Sequence, residues 1–195
     1  AKVLEATLTE HFRFKPKFTI INISFPDTTV ISTAISKTAM YELYRQCCGY
    51  ISLLFDSPCY RYDDDTFTFI AHNINSVEQK LNMLEGRFLE SWTVGSYHTK
   101  VNIAVDVIRC PDYASTLEEF SELTRYMDTV HKKAGRKVQI ADSAMIQAKQ
   151  RHDVLKNVVN NAVSNDGFEV WYQPIYSTEK KKFVSAEALI RLKDK

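Results

Sequence analysis

Phe18-Thr19-Ile20-Ile21-Asn22-Ile23-Ser24-Phe25 reads as a strong β-strand, rich in β-branched and aromatic residues and stopped by Pro26-Asp27. Upstream of it, Val3 to Phe12 reads as a short helix or linker that Pro16 closes. Downstream, Thr28 to Gly49 has helical apolar spacing through Ile31, Ile35, Ala39, Leu43 and Tyr44, with Gly49 where a C-terminal cap would sit. Tyr50 to Phe55 and Cys59 to Ala71 supply two further extended segments around an Asp56-Ser57-Pro58 turn and a central acidic run. Ser76 to Glu90 is helical, with Ser76 as N-cap and Val77, Leu81, Leu84 and Phe88 on one face. Val101 to Cys110 is a fourth strand. Thr116 to Ala134 is a third helix, opened by a capping box of Ser115 and Glu118, and Val138 to Ile140 is a last edge strand. The order β-α-β-β-α-β is that of the ferredoxin-like split βαβ arrangement, so the expected fold class is α+β. That order hosts many functions and decides none of them.

At 195 residues the chain holds one full domain and a small piece of another. With 45% hydrophobic and 25% charged residues its composition is that of a globular protein. A formal net charge of +1 argues against a strongly basic nucleic-acid binder. The sequence has no apolar run long enough for a membrane span and no signal peptide at its start, so a cytoplasmic location is expected, with any sensory or membrane module lying upstream. Cys47, Cys48, Cys59 and Cys110 have neither a C-x-x-C pair nor a zinc spacing and fit free thiols in a reducing compartment. His72, His98, His131 and His152 show no metal-binding spacing with each other.

A boundary falls near Ala141 to Ala144. Beyond it Leu155, Val158, Val159, Ala162 and Val163 form a helical stripe that Asn165-Asp166-Gly167 ends. Phe168 to Tyr176 reads as a strand, the lysine-rich Ser177 to Lys182 as a loop, and Phe183 to Arg191 as a returning strand, together a hairpin. Alternation puts Glu187, Leu189 and Arg191 on one side of the second strand. A carboxylate and a guanidinium on one face suit a site that holds a divalent cation and a phosphodiester, and they equally describe a surface ion pair. Tyr172-Gln173-Pro174-Ile175, followed by Ala186-Glu187-Ala188-Leu189-Ile190-Arg191, resembles the opening of an EAL domain, the family of phosphodiesterases and receptors for cyclic diguanylate (cyclic-di-GMP). The resemblance implies that Glu187 is a ligand for Mg²⁺ or Mn²⁺ and that Gln173 and Arg191 contact the dinucleotide. A TIM-type barrel needs roughly 250 residues and about thirty are present, so the expectation is a fragment holding only the entrance to that site.

With that opening downstream, Arg61-Tyr62-Asp63-Asp64-Asp65-Thr66-Phe67 resembles a degenerate R-x-GGDEF hairpin of diguanylate cyclases, over about Phe18 to Ile140. Lys132-Lys133-Ala134-Gly135-Arg136 resembles the same family's closing segment, with His131 and Lys137 as departures. Asp63 and Asp64 replace the paired glycines and add negative charge where an anionic triphosphate would approach. Thr66 stands in the place of the glutamate and cannot act as a base near neutral pH. The family's Asp-x-Asp on the first strand corresponds to Asn22-Ile23-Ser24, and its inhibitory R-x-x-D to Leu54 through Ser57. Asp65 remains as one vestigial metal ligand. Read without the family, the triplet is a solvated turn or a cation site, with Asp63 and Asp65 on one face and Asp64 facing away if the strand is regular.

These readings divide the chain into an N-terminal helix or linker (1–17), a GGDEF-like domain (18–140) and the leading helix and hairpin of an EAL domain (141–195). The expected function is a silent GGDEF-like domain that regulates or scaffolds a cyclic-di-GMP phosphodiesterase. The alternative is a non-enzymatic sensor of GTP or cyclic-di-GMP, or an interaction module. The apolar hairpin, with free strand edges, points to self-association.

Overall fold

The computed structural model describes residues 2–14, 16–72, 76–134 and 138–193, and it divides into two compact units, Ala1–Ile146 and Gln147–Lys195. In the first, α1 (Lys2–Phe14) leads into β1 (Phe18–Ser24), then α2 (Thr28–Ala34), α3 (Lys37–Phe55), β2 (Tyr60–Arg61), β3 (Thr66–Ala71) and α4 (Val77–Leu89). A small hairpin, β4 (Trp92–Val94) and β5 (Tyr97–Thr99), precedes β6 (Ala104–Cys110), α5 (Leu117–Ala134) and β7 (Val138–Ile140). The five-stranded sheet has the order β2-β3-β1-β6-β7. β1 is antiparallel to both β3 and β6, and β7 joins the edge parallel to β6. The first four strands carry the split βαβ topology, and the fold class is α+β.

Period-two alternation divides the sheet's two faces. Ile21, Ile23, Phe69, Val105 and Val107 are fully buried toward the α2, α3 and α4 side, where Leu43, Ile51 and Leu84 meet them. Phe18, Ile20, Ile70 and Ile108 face the opposite layer, built by Leu4 and Leu8 of α1 and Phe120, Leu123 and Met127 of α5.

Several local readings are corrected. Thr28 to Gly49 is not one helix: Ile35 turns extended, Ser36 caps a new helix by accepting from the Ala39 N–H, and Gly49 ends nothing. Tyr50 to Phe55, expected as a strand, completes α3. The buried stripe Leu43, Cys47, Cys48, Ile51 and Phe55 runs through it, and Gly49 sits on the open side with no atom near its would-be Cβ. The helix ends at Asp56, which takes a left-handed conformation (φ 50°). Ser76 stands at the N-cap of α4 but its side chain makes no capping bond. At α5 the cap is shifted by one residue. Thr116 Oγ1 accepts from the Glu119 N–H, and Glu119 Oε2 accepts from the Ser115 N–H (2.7 Å) and hydroxyl (2.8 Å), so Glu119 and not Glu118 closes the box. The β4–β5 hairpin adds to the expected element order; Val94-Gly95-Ser96-Tyr97 carries its two-residue turn, with Gly95 at φ +60°. Gly135, Arg136 and Lys137 of the closing segment lie outside the described residues.

α6 (Ser143–Ser164), whose first turn belongs to the first unit, is followed in the second by β8 (Phe168–Ser177) and β9 (Lys182–Leu192), an antiparallel pair with a bulge between Ile175 and Tyr176. The helix stops through Asp166 (φ 50°) and a Gly167 N–H to Ala162 C=O bond of 2.7 Å. Only glycine fits at 167, because a Cβ there would stand 2.8 Å from Ala162 Cα. Among the described residues no helix is long and apolar enough to cross a membrane.

Candidate functional site

The acidic triplet is a bend, not a strand: β2 ends at Arg61 and β3 begins at Thr66. Asp63 and Asp65 therefore do not share a strand face. Asp63 Oδ1 accepts from the Asp64 N–H (2.8 Å), Asp64 is paired with Arg61 (2.8 Å), and Asp65 Oδ1 accepts from Thr66 Oγ1 (3.2 Å). Arg61 also donates to the Asp63 carbonyl, while the Tyr62 and Asp63 N–H groups both reach the Thr66 carbonyl. The carboxylates are thus engaged in holding their own turn, and the exposed Arg61–Asp64 pair adds little to stability. Among the described residues no three His, Cys, Asp or Glu side chains form a group that could hold a metal ion. Phe67 turns inward against Phe25 (5.7 Å between centroids) and Tyr44 (5.6 Å).

The β1 positions beneath this turn are occupied differently from metal ligands. Asn22 is 3% exposed; its Oδ1 accepts from Thr68 Oγ1 (2.7 Å) and its Nδ2 donates to Thr124 Oγ1 of α5 (3.2 Å). It pairs in register with Thr68 on one side and Asp106 on the other, and Asp106 with Gln139. The result is a buried polar rung, Thr68-Asn22-Asp106-Gln139, laid across four strands. Gln139 Nε2 reaches both Asp106 Oδ1 (3.4 Å) and the Met127 carbonyl (3.2 Å). Ser24 lies one rung further along, opposite Thr66 and Ala104. Between α1 and α5 an open hollow of 180 Å³ is lined by Leu4, Glu5, Leu8, Tyr62, Leu117, Phe120 and Ser121, a mainly apolar surface with little chemistry to offer a triphosphate.

In the second unit Gln173 pairs directly with Glu187, Trp171 with Leu189, and Glu169 with Arg191. Gln173, Glu187 and Arg191 consequently share one face of the hairpin, and all three are exposed. Trp171 Nε1 donates to Glu169 Oε1 (2.6 Å), and Arg191 Nη1 donates to the Ile190 carbonyl (3.0 Å). The oxygen donors of Glu187 and Gln173 suit a hard cation such as Mg²⁺ or Mn²⁺, and one carboxylate is a part of such a ligand set, not the whole.

Sequence spacing gave no sign of two other constellations. His11, in the last turn of α1, meets His72 just after β3, with 3.4 Å between their Nε2 atoms. Hydrogen bonding with Cys59, and burial, push the thiol of Cys48 in α3 up, and the same interaction holds Cys59 below its ordinary range. Burial pushes Cys47 and Cys110 up to about 12. Neither pair has a sequence signal, because the folded chain brings its partners together from different elements.

No family model matches the sequence, and no curated protein matches it. Solved structures do match. The GGDEF domain of a Pseudomonas aeruginosa protein, YfiN or TpbB, is 11% identical with a TM-score of 0.62, covering 72% of this chain and 94% of that one. The GGDEF domain of DgcB from Caulobacter crescentus, in complex with cyclic-di-GMP, is 13% identical over 73% and 90% of the two chains (TM-score 0.60). An EAL/GGDEF domain protein from M. capsulatus is 16% identical over 71% and 94% (TM-score 0.59). At these identities the likeness is one of fold: over nearly three quarters of its length the chain has the α+β fold of GGDEF domains.

Proposed function

We propose that the chain is part of a cyclic-di-GMP signalling protein, in which a degenerate GGDEF-like domain without cyclase activity regulates or scaffolds an EAL phosphodiesterase whose start is the 141–195 segment. The observation that carries this reading is Asn22. Where the resemblance calls for a metal-binding carboxylate there is a buried amide, with its oxygen accepting from Thr68 and its nitrogen donating to Thr124. A cation would have to break that network to use it. Thr66 supplies no carboxylate, and Asp65 is bonded within its turn. For the EAL half, support comes from Gln173 and Glu187 being cross-strand partners with Arg191 on the same face. Glu187 would help hold Mg²⁺ or Mn²⁺, which when bound polarises the phosphodiester, while Gln173 and Arg191 orient the dinucleotide.

A second reading, a nucleotide receptor without turnover, is favoured by the cyclic-di-GMP bound to the DgcB domain, which shares this fold. Calorimetric titration with GTP, with and without Mg²⁺, and with cyclic-di-GMP distinguishes the two while the GTP mixture is assayed for product. Binding without product assigns a sensor, and no binding leaves a scaffold. Cyclic-di-GMP formation that is abolished by Asp65→Ala would refute catalytic silence.

A further inference from the structure

We propose that His11 and His72 form a two-imidazole site for a borderline divalent cation of the Zn²⁺ or Ni²⁺ type, clipping the N-terminal helix to the central sheet. The two side chains come from positions 61 residues apart and stack with ring centroids 5.1 Å apart and planes 24° from parallel. His11 Nδ1 lies 2.7 Å from the Thr7 carbonyl. A carbonyl only accepts, so Nδ1 carries the proton, and the lone pair of His11 sits on Nε2, the atom facing His72. Metal-bound histidines use this same arrangement, with the far nitrogen donating to a carbonyl or carboxylate that fixes tautomer and ring orientation.

The spacing agrees with chelation. Zinc–nitrogen bonds of about 2.0–2.1 Å at a tetrahedral angle place the two nitrogens about 3.4 Å apart. The observed Nε2–Nε2 distance is 3.4 Å. His11 is held by the Phe18 ring, 5.1 Å away and edge-on at 67°, while His72 is exposed. Imidazole suits Zn²⁺, Ni²⁺ and Cu²⁺, whereas Mg²⁺ demands oxygen ligands, so this site is chemically separate from a carboxylate site for Mg²⁺ or Mn²⁺. Among the described residues no third His, Cys, Asp or Glu joins the pair. Without metal, the His72 Nε2–H donates to His11 Nε2, a hydrogen bond that ties the helix to the end of β3.

The test is a calorimetric titration of the intact chain with Zn²⁺, repeated with Ni²⁺ and with Mg²⁺, together with thermal unfolding in each ion. Expected are one-to-one Zn²⁺ binding, a Tm rise of about 5 °C at saturating Zn²⁺, and none with Mg²⁺. His72→Gln should weaken Zn²⁺ binding roughly tenfold or more, while His98→Gln, His152→Gln and Cys59→Ser leave it unchanged. Because His11 packs on Phe18, His11→Gln can disturb the fold; the exposed His72→Gln is the deciding variant, and its metal-free Tm should match that of the wild type. Absence of Zn²⁺ binding by the wild-type chain, or full retention of it by His72→Gln, overturns the proposal.

Discussion

Asn22 shows how a residue can look functional by position and be structural by contact. Its amide links β3, β1 and α5 through Thr68 and Thr124. Asn22→Ala leaves two buried hydroxyls short of a partner, at a cost of about 2 kcal/mol, visible in urea unfolding as a lower midpoint with unchanged slope. An Asn22→Ala protein as stable as the wild type would deny the rung its role. The thiols make a second residue-scale prediction. Alkylation with iodoacetamide at pH 8 should modify Cys59 first, since it is half-buried and held low by Cys48, whereas Cys47 and Cys110 are shielded and pushed up to about 12. Peptide mass spectrometry reads the order, and prior labelling of Cys47 or Cys110 contradicts it. At this scale the sequence was least legible. Asp63 and Asp65 share a strand face only if the strand is regular, and the bend that ties each of the three aspartates to a neighbour removes that face.

Among elements, α5 is opened by Glu119, whose carboxyl is held below its ordinary range by the Ser115 backbone and hydroxyl donors. A depressed carboxyl stabilises the fold above its unfolded pKa and loses that contribution as pH falls through the folded pKa. Glu119→Ala should therefore lower stability at pH 7 by roughly half a kcal/mol, discounted for exposure, and the gap to wild type should close in strongly acidic buffer. Thermal scans at both pH values check it, and a gap that widens in acid contradicts it. Element order was readable because β1, β3, β6, α4 and α5 each carry a clean period. The error at Tyr50 to Phe55 has a physical cause. A short run of branched and aromatic residues fits a buried strand as well as a helix face, and what decided was continuity with Leu43 and Cys47, which Gly49 on the open side did not interrupt. The shifted α5 box arose because Ser115 and Thr116 are both good caps, and only Thr116 receives the backbone N–H.

For the molecule as a whole, the second unit stands apart in its burial. Ala162 is the buried residue of α6, while Leu155, Val158, Val159 and Val163 are exposed, as are Val170, Trp171, Tyr172, Ile175, Phe183 and Ile190 of the hairpin. A two-stranded sheet also leaves two unpaired edges, and an isolated hairpin is marginal in water. Concentration-dependent self-association of this chain is therefore expected in analytical ultracentrifugation; a strictly monomeric profile at high concentration counts against it. The first unit carries a different kind of specificity. Sliding one strand by a single residue would turn its apolar side chains to the wrong face, so hydrophobic patterning forbids it. Sliding by two keeps every residue on its proper face, and patterning is blind to the mistake. The row Thr68-Asn22-Asp106-Gln139 is not: a two-residue slip of β6 against β1 would set Asn22 opposite Ala104 or Ile108 in place of Asp106. It works as an alignment key, spending core hydrophobicity to make the mis-threaded sheet, otherwise a close imitation, unfavourable.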